Sequence, residues 1–352
     1  MNAAESADRF SLAELQNAFR NRGMPLEGLR YDITPTGLHY LLVHFDVPEV
    51  DAGTWRLRVE GHVDRLLELS VDGLLARPSR TVRVTMECAG NGRARMVPRA
   101  ESQPWLFEAI GTAEWTGTPL RGVLEEAGVR DGAVEFVFTG ADHGLQGGVE
   151  HDYQRSLTVA EATGDDVLLA YGMNGRPLEP QHGAPVRLLV PGWYGMTSVK
   201  WLTRIEAVTS PFGGYQQADA YRYQTDPDDP GQPVTRIRVR ALMVPPGFPD
   251  FPERRRYVEA GAIAVRGRAW SGQAPIVRVE FGVDGDWTDA RLRPEPGAYA
   301  WRAWSTEFDA EPGVHILACR ATDAAGNTQP DQVWNVQGMG NNAIQQVPIT
   351  AR

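Results

Sequence analysis

The sequence predicts a two-domain fold, an α+β domain followed by an all-β sandwich of immunoglobulin-like type. Before about residue 230, strand-like runs and short helical patterns are mixed without a regular βαβ repeat. After that point, strand-like runs recur between turns and no helical pattern is evident. Clusters of proline, glycine and aspartate at 226–231 and 245–249 separate the two regions. We therefore predict an N-terminal extension at 1–24 and domains at 25–230 and 231–352.

Hydrophobic periodicity predicts the individual elements. Alternating or short apolar runs predict strands in the first domain at 38–47, 55–61, 81–87, 134–138, 167–171, 186–190 and 199–205. Helical spacing predicts short helices at 66–75 and 120–127, a turn and helix at 153–162, and a weaker helix before residue 22. In the second domain the clearest strands are 262–267, 277–281 and 314–319.

The composition excludes several classes of protein. The 352 residues are 42% hydrophobic, which is enough to form two cores, and the net charge of −10 argues against nucleic acid or an anionic membrane as the main partner. The two cysteines, Cys88 and Cys319, cannot build a disulfide framework or a four-cysteine zinc site. Because no transmembrane segment and no export signal is recognisable, we expect a cytoplasmic protein.

The segment 81–93 is the strongest candidate for a functional site. Its predicted strand ends at Cys88, and Ala-Gly-Asn-Gly follows, a sequence that allows positive φ and a close approach of the backbone. Arg93 places a positive charge nearby, which favours a thiolate. A buried structural cysteine is the alternative. Cys319 lies inside a predicted strand and is expected in the core, so Cys88 is the candidate for chemistry.

Further polar residues fall at the ends of predicted strands. His182 and Arg187 flank a turn, and Lys200 follows a glycine-containing loop. A large anionic ligand with a phosphate group and a polar ring system would use such cations together with backbone amides. Alternatively, Arg187 and Lys200 are solvated strand ends and His182 is an ordinary turn residue.

Four segments together resemble the molybdenum-cofactor enzymes of the sulfite oxidase family. They are TMECAGN at 85–91, DVLLAYGMNG at 166–175, HGAPVR at 182–187 and SVKWL at 198–202, in the family's order. The segments at 265–272 and 334–335 resemble the family's C-terminal dimerisation sandwich. The resemblance covers residue 25 to the end, so it implies a molybdopterin-binding catalytic domain at 25–230 and a dimerisation domain at 231–352.

The resemblance implies the cofactor and the residues that hold it. One molybdopterin per chain would bind molybdenum through its dithiolene, with the Cys88 thiolate as the protein ligand. The expected cofactor-binding residues are Tyr40, His44, Asp142, His182, Arg187, Ser198, Val199 and Lys200. Tyr221 is expected to be catalytic beside Cys88 and Arg93. We expect no haem in this chain, a separate electron acceptor such as a cytochrome, and a homodimer.

Two substrate-pocket positions depart from the family. Where the family has arginines that bind sulfite, this chain has Leu42 and Gln337, which leaves Arg93 as the remaining expected cation. A desolvated doubly charged oxyanion needs charge-assisted hydrogen bonds. We therefore expect oxygen-atom transfer on a small sulfur oxyanion such as sulfite or, alternatively, on a less charged S- or N-oxide.

Two alternatives lie outside this family. A thiol hydrolase would use Cys88 as its nucleophile with His143 or His151 as its base. A non-catalytic binding protein would use only the β-sandwich and would leave the four ordered segments without an explanation.

Overall fold

The computed structural model describes residues 10–352 of the chain. Its α-helices are α1 (Leu12–Arg20), α2 (Val71–Leu75), α3 (Leu120–Ala127), α4 (Val159–Ala162) and α5 (Tyr215–Ala218). Single 3-10 turns lie at Leu26–Arg30, Thr36–Leu38, Arg93–Arg95, Pro180–His182 and Gly195–Thr197. None of the helices within residues 10–352 has the length and apolar character needed to cross a membrane.

The strands run in chain order through both regions. Those before residue 230 are β1 (Leu57–Gly61), β2 (Leu67–Leu69), β3 (Arg80–Glu87), β4 (Ile110–Pro119), β5 (Glu135–Gln146), β6 (Val149–Thr158), β7 (Leu168–Met173), β8 (Arg176–Pro177), β9 (Arg187–Leu189), β10 (Leu202–Val208) and β11 (Arg222–Tyr223). Those after it are β12 (Gln232–Pro233), β13 (Arg240–Met243), β14 (Phe248–Pro249), β15 (Arg256–Val258), β16 (Gly261–Trp270), β17 (Ile276–Val283), β18 (Asp286–Asp289), β19 (Arg291–Leu292), β20 (Arg302–Ala310), β21 (Gly313–Asp323) and β22 (Gln345–Ala351).

Two five-stranded sheets form the N-terminal domain. One has the order β2-β1-β10-β5-β6, and the other joins β3-β4-β7-β8 with β9 paired to β7. The predicted strand 81–87 and helix 120–127 are both present, and the α+β class is confirmed. These sheets bring the ends of β3, β5 and β9 to the region where the candidate site lies.

The C-terminal domain consists of two β-sheets. One sheet has the order β13-β16-β20-β19, and the other has the order β14-β15-β22-β21-β17-β18. A core of apolar residues from both sheets includes Phe281, Trp304 and Cys319, each at most 1% exposed. Cys319 is therefore a core residue, as predicted, and both cysteines are free thiols.

Three predicted elements differ from the structure. Residues 38–47 form only a single bridge, between Leu41 and Arg22, and no strand. The backbone groups that follow bond to side chains: Val43 N–H donates to Asn21 Oδ1 at 2.7 Å, and Leu42 O accepts from Lys200 Nζ at 2.9 Å. In the two predicted helices at 66–75 and 153–162, a capping residue delays the helix. Ser70 caps α2 and Thr158 caps α4, so the residues before each cap pair as strands β2 and β6.

The helix before residue 22 exists, but its apolar pattern faces solvent. Leu12, Leu15 and Phe19 are exposed, whereas Glu14 is buried and paired with Arg99. Glu14 also completes a capping box with Ser11, which explains why the helix begins at Leu12. The part of the predicted extension at 1–9 lies outside the described residues.

Candidate functional site

The turn after β3 presents Cys88 at the centre of the molecule. Cys88 N–H donates to Ala109 O at 2.9 Å, and Cys88 O accepts from Asn91 N–H at 2.9 Å. Gly92 has a φ of 89°, and a Cβ added there would come within about 3.0 Å of Asn341. Only glycine combines that backbone conformation with so close a neighbour, which explains the glycine at position 92.

The Cys88 turn separates two cavities, and Cys88 contributes to the wall of both. The first cavity is lined by His39, Tyr40, Leu41, Leu42, His44, Met86, Cys88, Asp142, Tyr153, Gln181, His182, Arg187, Gly195, Met196, Ser198 and Lys200. The second is lined by Asn17, Arg20, Asn21, Leu42, Val43, His44, Phe45, Cys88, Gly90, Arg93, Ser102, Gln103, Trp105, Leu145, Gln146, Ala220, Tyr221 and Met339. We call them the cofactor cavity and the substrate cavity, after the expected ligands.

Most of the predicted cofactor-binding residues meet in the cofactor cavity. Seven of the eight line it: Tyr40, His44, Asp142, His182, Arg187, Ser198 and Lys200. Val199 does not line it, because its side chain is 1% exposed and packs in the core of the N-terminal domain. The sequence segments that the resemblance connects are therefore adjacent in space.

Burial dominates the electrostatics of the cofactor cavity. It lowers the pKa of Lys200 to about 7, with the Arg187 charge adding to the effect, and it lowers the pKa of His182 to about 3. Burial also raises the pKa of Asp142 to about 6, against the opposing charge of Lys200. Burial and neighbouring positive charges thus depress the pKa values of the basic groups, and a phosphate-bearing ligand in this cavity would favour their charged forms.

Arg187 connects two loops that carry other predicted cofactor-binding residues. Its Nη1 donates to His182 O at 3.0 Å and its Nη2 donates to Ser198 O at 2.8 Å. The guanidinium also lies over the ring of Trp115, at 4.9 Å from the centroid. Arg187 is thus held in the wall of the cavity by neighbouring backbone, and it fixes both loops.

The cofactor cavity suits the ligand that the resemblance implies. Asp142 Oδ1 is buried without a hydrogen-bond partner, an arrangement that native proteins seldom leave unsatisfied. A bulge between β5 and β6 turns Asp142 into the cavity. Together with Arg187, Lys200 and His182, this acceptor matches a ligand that carries both ring N–H donors and a phosphate.

The substrate cavity joins Cys88 to Arg93 and Tyr221. Tyr221 Oη lies 2.8 Å from His44 Nε2, and burial raises the pKa of this tyrosine. Arg93 Nε donates to Gln337 O at 3.0 Å, and the guanidinium is buried. Among residues 10–352, no aspartate or glutamate lines this cavity, so the charged side chains in its wall are cationic.

The two atypical positions differ in where they lie. Leu42 lines both cavities and is half-buried. The side chain of Gln337 lies outside them, because its Nε2 donates to Asp219 O at 3.0 Å and to Gln224 Oε1 at 2.9 Å. Gln337 approaches Arg93 only through its backbone carbonyl.

Burial raises the pKa of the Cys88 thiol, although the Arg93 charge and the Gly90 N–H act in the opposite direction. The sequence-based expectation that Arg93 makes Cys88 a thiolate is therefore outweighed by desolvation in the protein alone. A coordinating metal ion deprotonates a thiol outright. This environment fits a metal ligand better than a free nucleophile.

The histidines proposed as bases for a hydrolase lie elsewhere. His143 is exposed and bonds to Asp152 and Glu150, and His151 bonds to Val149 O and to Gln216. Neither residue lines a cavity that contains Cys88. The structure offers no support for the hydrolase alternative.

Residues of the C-terminal domain form hydrogen bonds with the residues on either side of Cys88. Glu87 Oε1 accepts from Arg240 Nη1 at 2.6 Å, and both side chains are at most 2% exposed. Glu87 Oε2 accepts from Trp270 Nε1 at 2.8 Å, and Gly92 O accepts from Asn341 Nδ2 at 2.8 Å. These bonds across the domain boundary fix the position of the cysteine.

Sequence reasoning missed several residues of the site. Tyr153 lines the cofactor cavity, and Trp105 and Met339 line the substrate cavity. Arg155, on β6, is 2% exposed and lies over the ring of Tyr221. The alternation of Tyr153, Arg155 and Leu157 on one face of a strand is a signal that could have identified this arginine.

Lys200→Ala is expected to lower the molybdopterin content of the purified protein by about tenfold, since a charged contact to a buried anion is lost. Arg187→Ala is expected to act in the same direction and also to loosen the two loops. The measurement is pterin fluorescence after release from denatured protein. Arg204→Ala, on the exposed part of β10, is the control. Wild-type pterin content in both cavity variants would contradict the assignment.

Comparisons with known proteins agree with this arrangement. Two family models match, the oxidoreductase molybdopterin binding domain at residues 44–216 and the Mo-co oxidoreductase dimerisation domain at residues 250–352. The chain is 37% identical over 334 residues to sulfite oxidase of Gallus gallus, covering 88% of this chain and 72% of that protein. It is 34% identical over 343 residues to mitochondrial sulfite oxidase of Mus musculus, covering 90% of this chain but only 61% of the mouse protein.

Proteins that are named for other activities are also similar to this chain. Nitrate reductase [NADH] 1 of Oryza sativa subsp. japonica is 33% identical over 354 residues, covering 90% of this chain and 38% of that protein. Among solved structures, the sulfane dehydrogenase SoxCD from Paracoccus pantotrophus superposes with a TM-score of 0.82 at 27% identity, covering 94% of this chain and 86% of that chain. The similarity therefore extends to relatives that are named for three different substrates or activities.

Proposed function

Because the chain belongs to the sulfite oxidase family of molybdopterin-dependent oxidoreductases, we propose that it transfers an oxygen atom and two electrons between molybdenum and a small sulfur oxyanion such as sulfite. The observation that carries this proposal is the position of Cys88 between two cavities of different chemistry. One contains the groups for a pterin and its phosphate, and the other is cationic and free of carboxylates among the described residues. The likeness to sulfite oxidases supports the choice of sulfite.

The chain would hold one molybdenum-molybdopterin through residues on both sides of Cys88. Arg187 and Lys200 would bind the phosphate, Asp142 would accept from the pterin ring, and the Cys88 thiolate would bind the metal. The bound group supplies the oxygen-atom transfer and takes up the two electrons. The remaining chemistry belongs to the protein, which must desolvate, attract and orient the substrate.

Arg93 and Tyr221 would perform that orientation in the substrate cavity. Arg93 is a buried cation that can donate to an oxyanion, and its own position is fixed by backbone carbonyls of the C-terminal domain. Tyr221 is held in its neutral form by burial and can donate one hydrogen bond, while His44 fixes its hydroxyl. Burial lowers the pKa of His44 to about 3, so the imidazole is neutral. With the proton on Nε2 it would donate to Tyr221 Oη and leave the tyrosine O–H available for the substrate.

A less charged S- or N-oxide remains the second candidate substrate. The wall of the substrate cavity has Leu42 rather than a cation, and Arg20 at the mouth is exposed to water. Similarity to a nitrate reductase and to a sulfane dehydrogenase supports keeping this alternative. A sulfur oxyanion needs more positive charge from the cavity than a less charged S- or N-oxide does.

Leu42→Arg in the holoenzyme tests the substrate. If the substrate is a sulfur oxyanion, the added guanidinium is expected to raise kcat/KM for sulfite by about tenfold to a hundredfold, the value of one or two charge-assisted hydrogen bonds. The measurements are reduction of ferricyanide at varied sulfite and, because nitrate and dimethyl sulfoxide would be reduced rather than oxidised, oxidation of reduced methyl viologen at varied nitrate or dimethyl sulfoxide, each for the wild type and the variant.

Gln337→Arg is the matched control, because that side chain lies outside the substrate cavity and is expected to change kcat/KM by less than about twofold. A wild-type protein that turns over nitrate or dimethyl sulfoxide but not sulfite would overturn the proposed substrate and leave the family assignment intact. A Leu42→Arg protein with reduced sulfite turnover would contradict the placement of sulfite beside Leu42.

We also propose that the chain forms a homodimer and passes electrons to a separate acceptor such as a cytochrome. The match to a dimerisation domain at residues 250–352 supports the dimer. The separate acceptor stays a proposal that is based on the resemblance to the family. A cytoplasmic location stays a proposal that is based on the sequence alone.

A further inference from the structure

Arg155 is a buried cation at the back of the substrate cavity. It lies on β6, is 2% exposed, and its guanidinium carbon is 5.5 Å from the ring centroid of Tyr221. Its Nη1 donates to Gln216 O, in helix α5. Neither cavity includes Arg155 in its wall, so this residue acts on the site through Tyr221 and through its charge.

No carboxylate within residues 10–352 forms an ion pair with Arg155, and its Nε has no hydrogen-bond partner there. The buried arginine of the domain boundary differs, since Arg240 pairs with Glu87 at 2.6 Å. Burying an unpaired charge costs several kcal/mol in proteins. Burial accordingly lowers the pKa of Arg155, and Tyr153 and Tyr221 are the groups that favour its charged form.

Arg155 contacts a residue that lines the substrate cavity. Tyr221 contacts Arg155 through its ring and His44 through its hydroxyl, and it lines the same cavity as Cys88 and Arg93. Tyr153 lies on the same strand as Arg155, and its ring centroid is 4.8 Å from that of His44. A positive charge in this dry environment attracts an anion in the cavity more strongly than an exposed charge would.

We propose that Arg155 is a positioning residue for anionic substrates: its unpaired buried charge stabilises a small tetrahedral or pyramidal oxyanion in the substrate cavity and holds the Tyr221 ring. The proposal rests on the proposed function for the identity of the oxyanion, though not for the binding of anions as such. Arg155 would replace part of the charge that Leu42 does not supply. Its missing counter-ion is then the substrate itself.

A purely structural role makes different predictions. If Arg155 only connected β6 to α5 through Gln216 O, its removal would lower stability and would leave anion affinity unchanged. If its charge awaits an anion, its removal relieves an unpaired buried charge in the anion-free protein and weakens anion binding. The structural role therefore predicts lower stability with unchanged anion affinity, and the charge role predicts weaker anion affinity without a loss of stability.

The test uses the holoprotein with Arg155→Met, which keeps the volume and removes the charge, and Arg155→Lys, which keeps the charge. The probe is inorganic sulfate, and its half-saturating concentration is measured from the rise in unfolding temperature. Arg155→Met is expected to raise that concentration by about tenfold and to unfold no lower than the wild type without sulfate. Arg155→Lys is expected to stay within about threefold of the wild type.

Arg256→Met is the control for a buried arginine outside the site, since Arg256 pairs with Glu27 at 2.9 Å and lines neither cavity. It should lower the unfolding temperature and leave the sulfate response unchanged. For sulfite turnover, Arg155→Met should raise KM by about tenfold with kcat within about threefold of the wild type.

An unchanged sulfate response in Arg155→Met, or a variant that unfolds well below the wild type or fails to fold, would overturn the proposal and assign Arg155 a structural role. Loss of the sulfate response in both the Met and the Lys variant would also overturn it, because charge would not be the property that matters. A weakened sulfate response in a protein that oxidises no sulfite would support this inference and overturn the proposed substrate instead.

Discussion

Cys88→Ser is expected to reduce turnover by more than about a hundredfold while the fold survives. Loss of a residue that only supports a metal ligand typically costs 10–100-fold, so loss of the ligand itself should exceed that range. The serine hydroxyl is a harder and weaker ligand than a thiolate. The turn should keep its shape, because residue 88 is held by two backbone hydrogen bonds, one that it donates to Ala109 O and one that it accepts from Asn91 N–H.

Cys319→Ser is the matched control, since it makes the same substitution at a cysteine remote from both cavities. Cys319 is fully buried in the C-terminal core, so the variant is expected to lose stability and to keep the turnover of the folded protein. The measurements are initial rates and unfolding temperatures for both variants. A Cys88→Ser enzyme that works at the wild-type rate would exclude the metal-ligand role.

Arg240→Met is expected to destabilise the protein by about 3–5 kcal/mol, the cost of leaving one member of a buried ion pair without its partner. Glu87 would remain buried without its cation, and its hydrogen bonds from Asn91 at 2.9 Å and Trp270 at 2.8 Å would be left. Because Glu87 precedes Cys88, the same change is expected to disturb the cysteine turn. The measurement is the free energy of unfolding in urea.

Glu87→Gln combined with Arg240→Met separates the ion pair from its surroundings. The glutamine keeps an oxygen for the neighbouring donors and removes the buried charge, so the double variant is expected to recover much of the stability that Arg240→Met loses. A single variant within about 1 kcal/mol of the wild type, which is the error of such a measurement, would show that the pair contributes little. A double variant less stable than the single one would exclude an uncompensated charge as the cause.

The order of the domains and several elements could be predicted from the sequence because they depend on local patterns. The alternation of residues 81–87 and the periodicity of 120–127 each correspond to an observed strand or helix. In the segments 66–75 and 153–162 the predicted helices begin too early, because Ser70 and Thr158 are helix caps and strand residues precede them. Both caps have recognisable sequence signals, so these errors were avoidable in principle.

Side-chain direction in the site could not be predicted in the same way. Gly338 has a φ of 63°, and at this turn the carbonyls of Gln337 and Gly338, rather than the Gln337 side chain, face Arg93. That geometry depends on contacts between residues some 245 positions apart in the chain. The alternation along β6 indicates a buried position for Arg155, but its lack of an ion partner depends on the packing of β6 against α5 and has no sequence signal.

The sulfur coordination of molybdenum tests the central claim most directly. X-ray absorption at the molybdenum edge counts the sulfur atoms bound to the metal in the purified holoprotein. Cys88 and one dithiolene predict about three sulfur ligands in the wild type and in Cys319→Ser, and about two in Cys88→Ser. A protein without molybdenum, or a sulfur count that Cys88→Ser leaves unchanged, would contradict the assignment of Cys88 as the ligand that this chain provides.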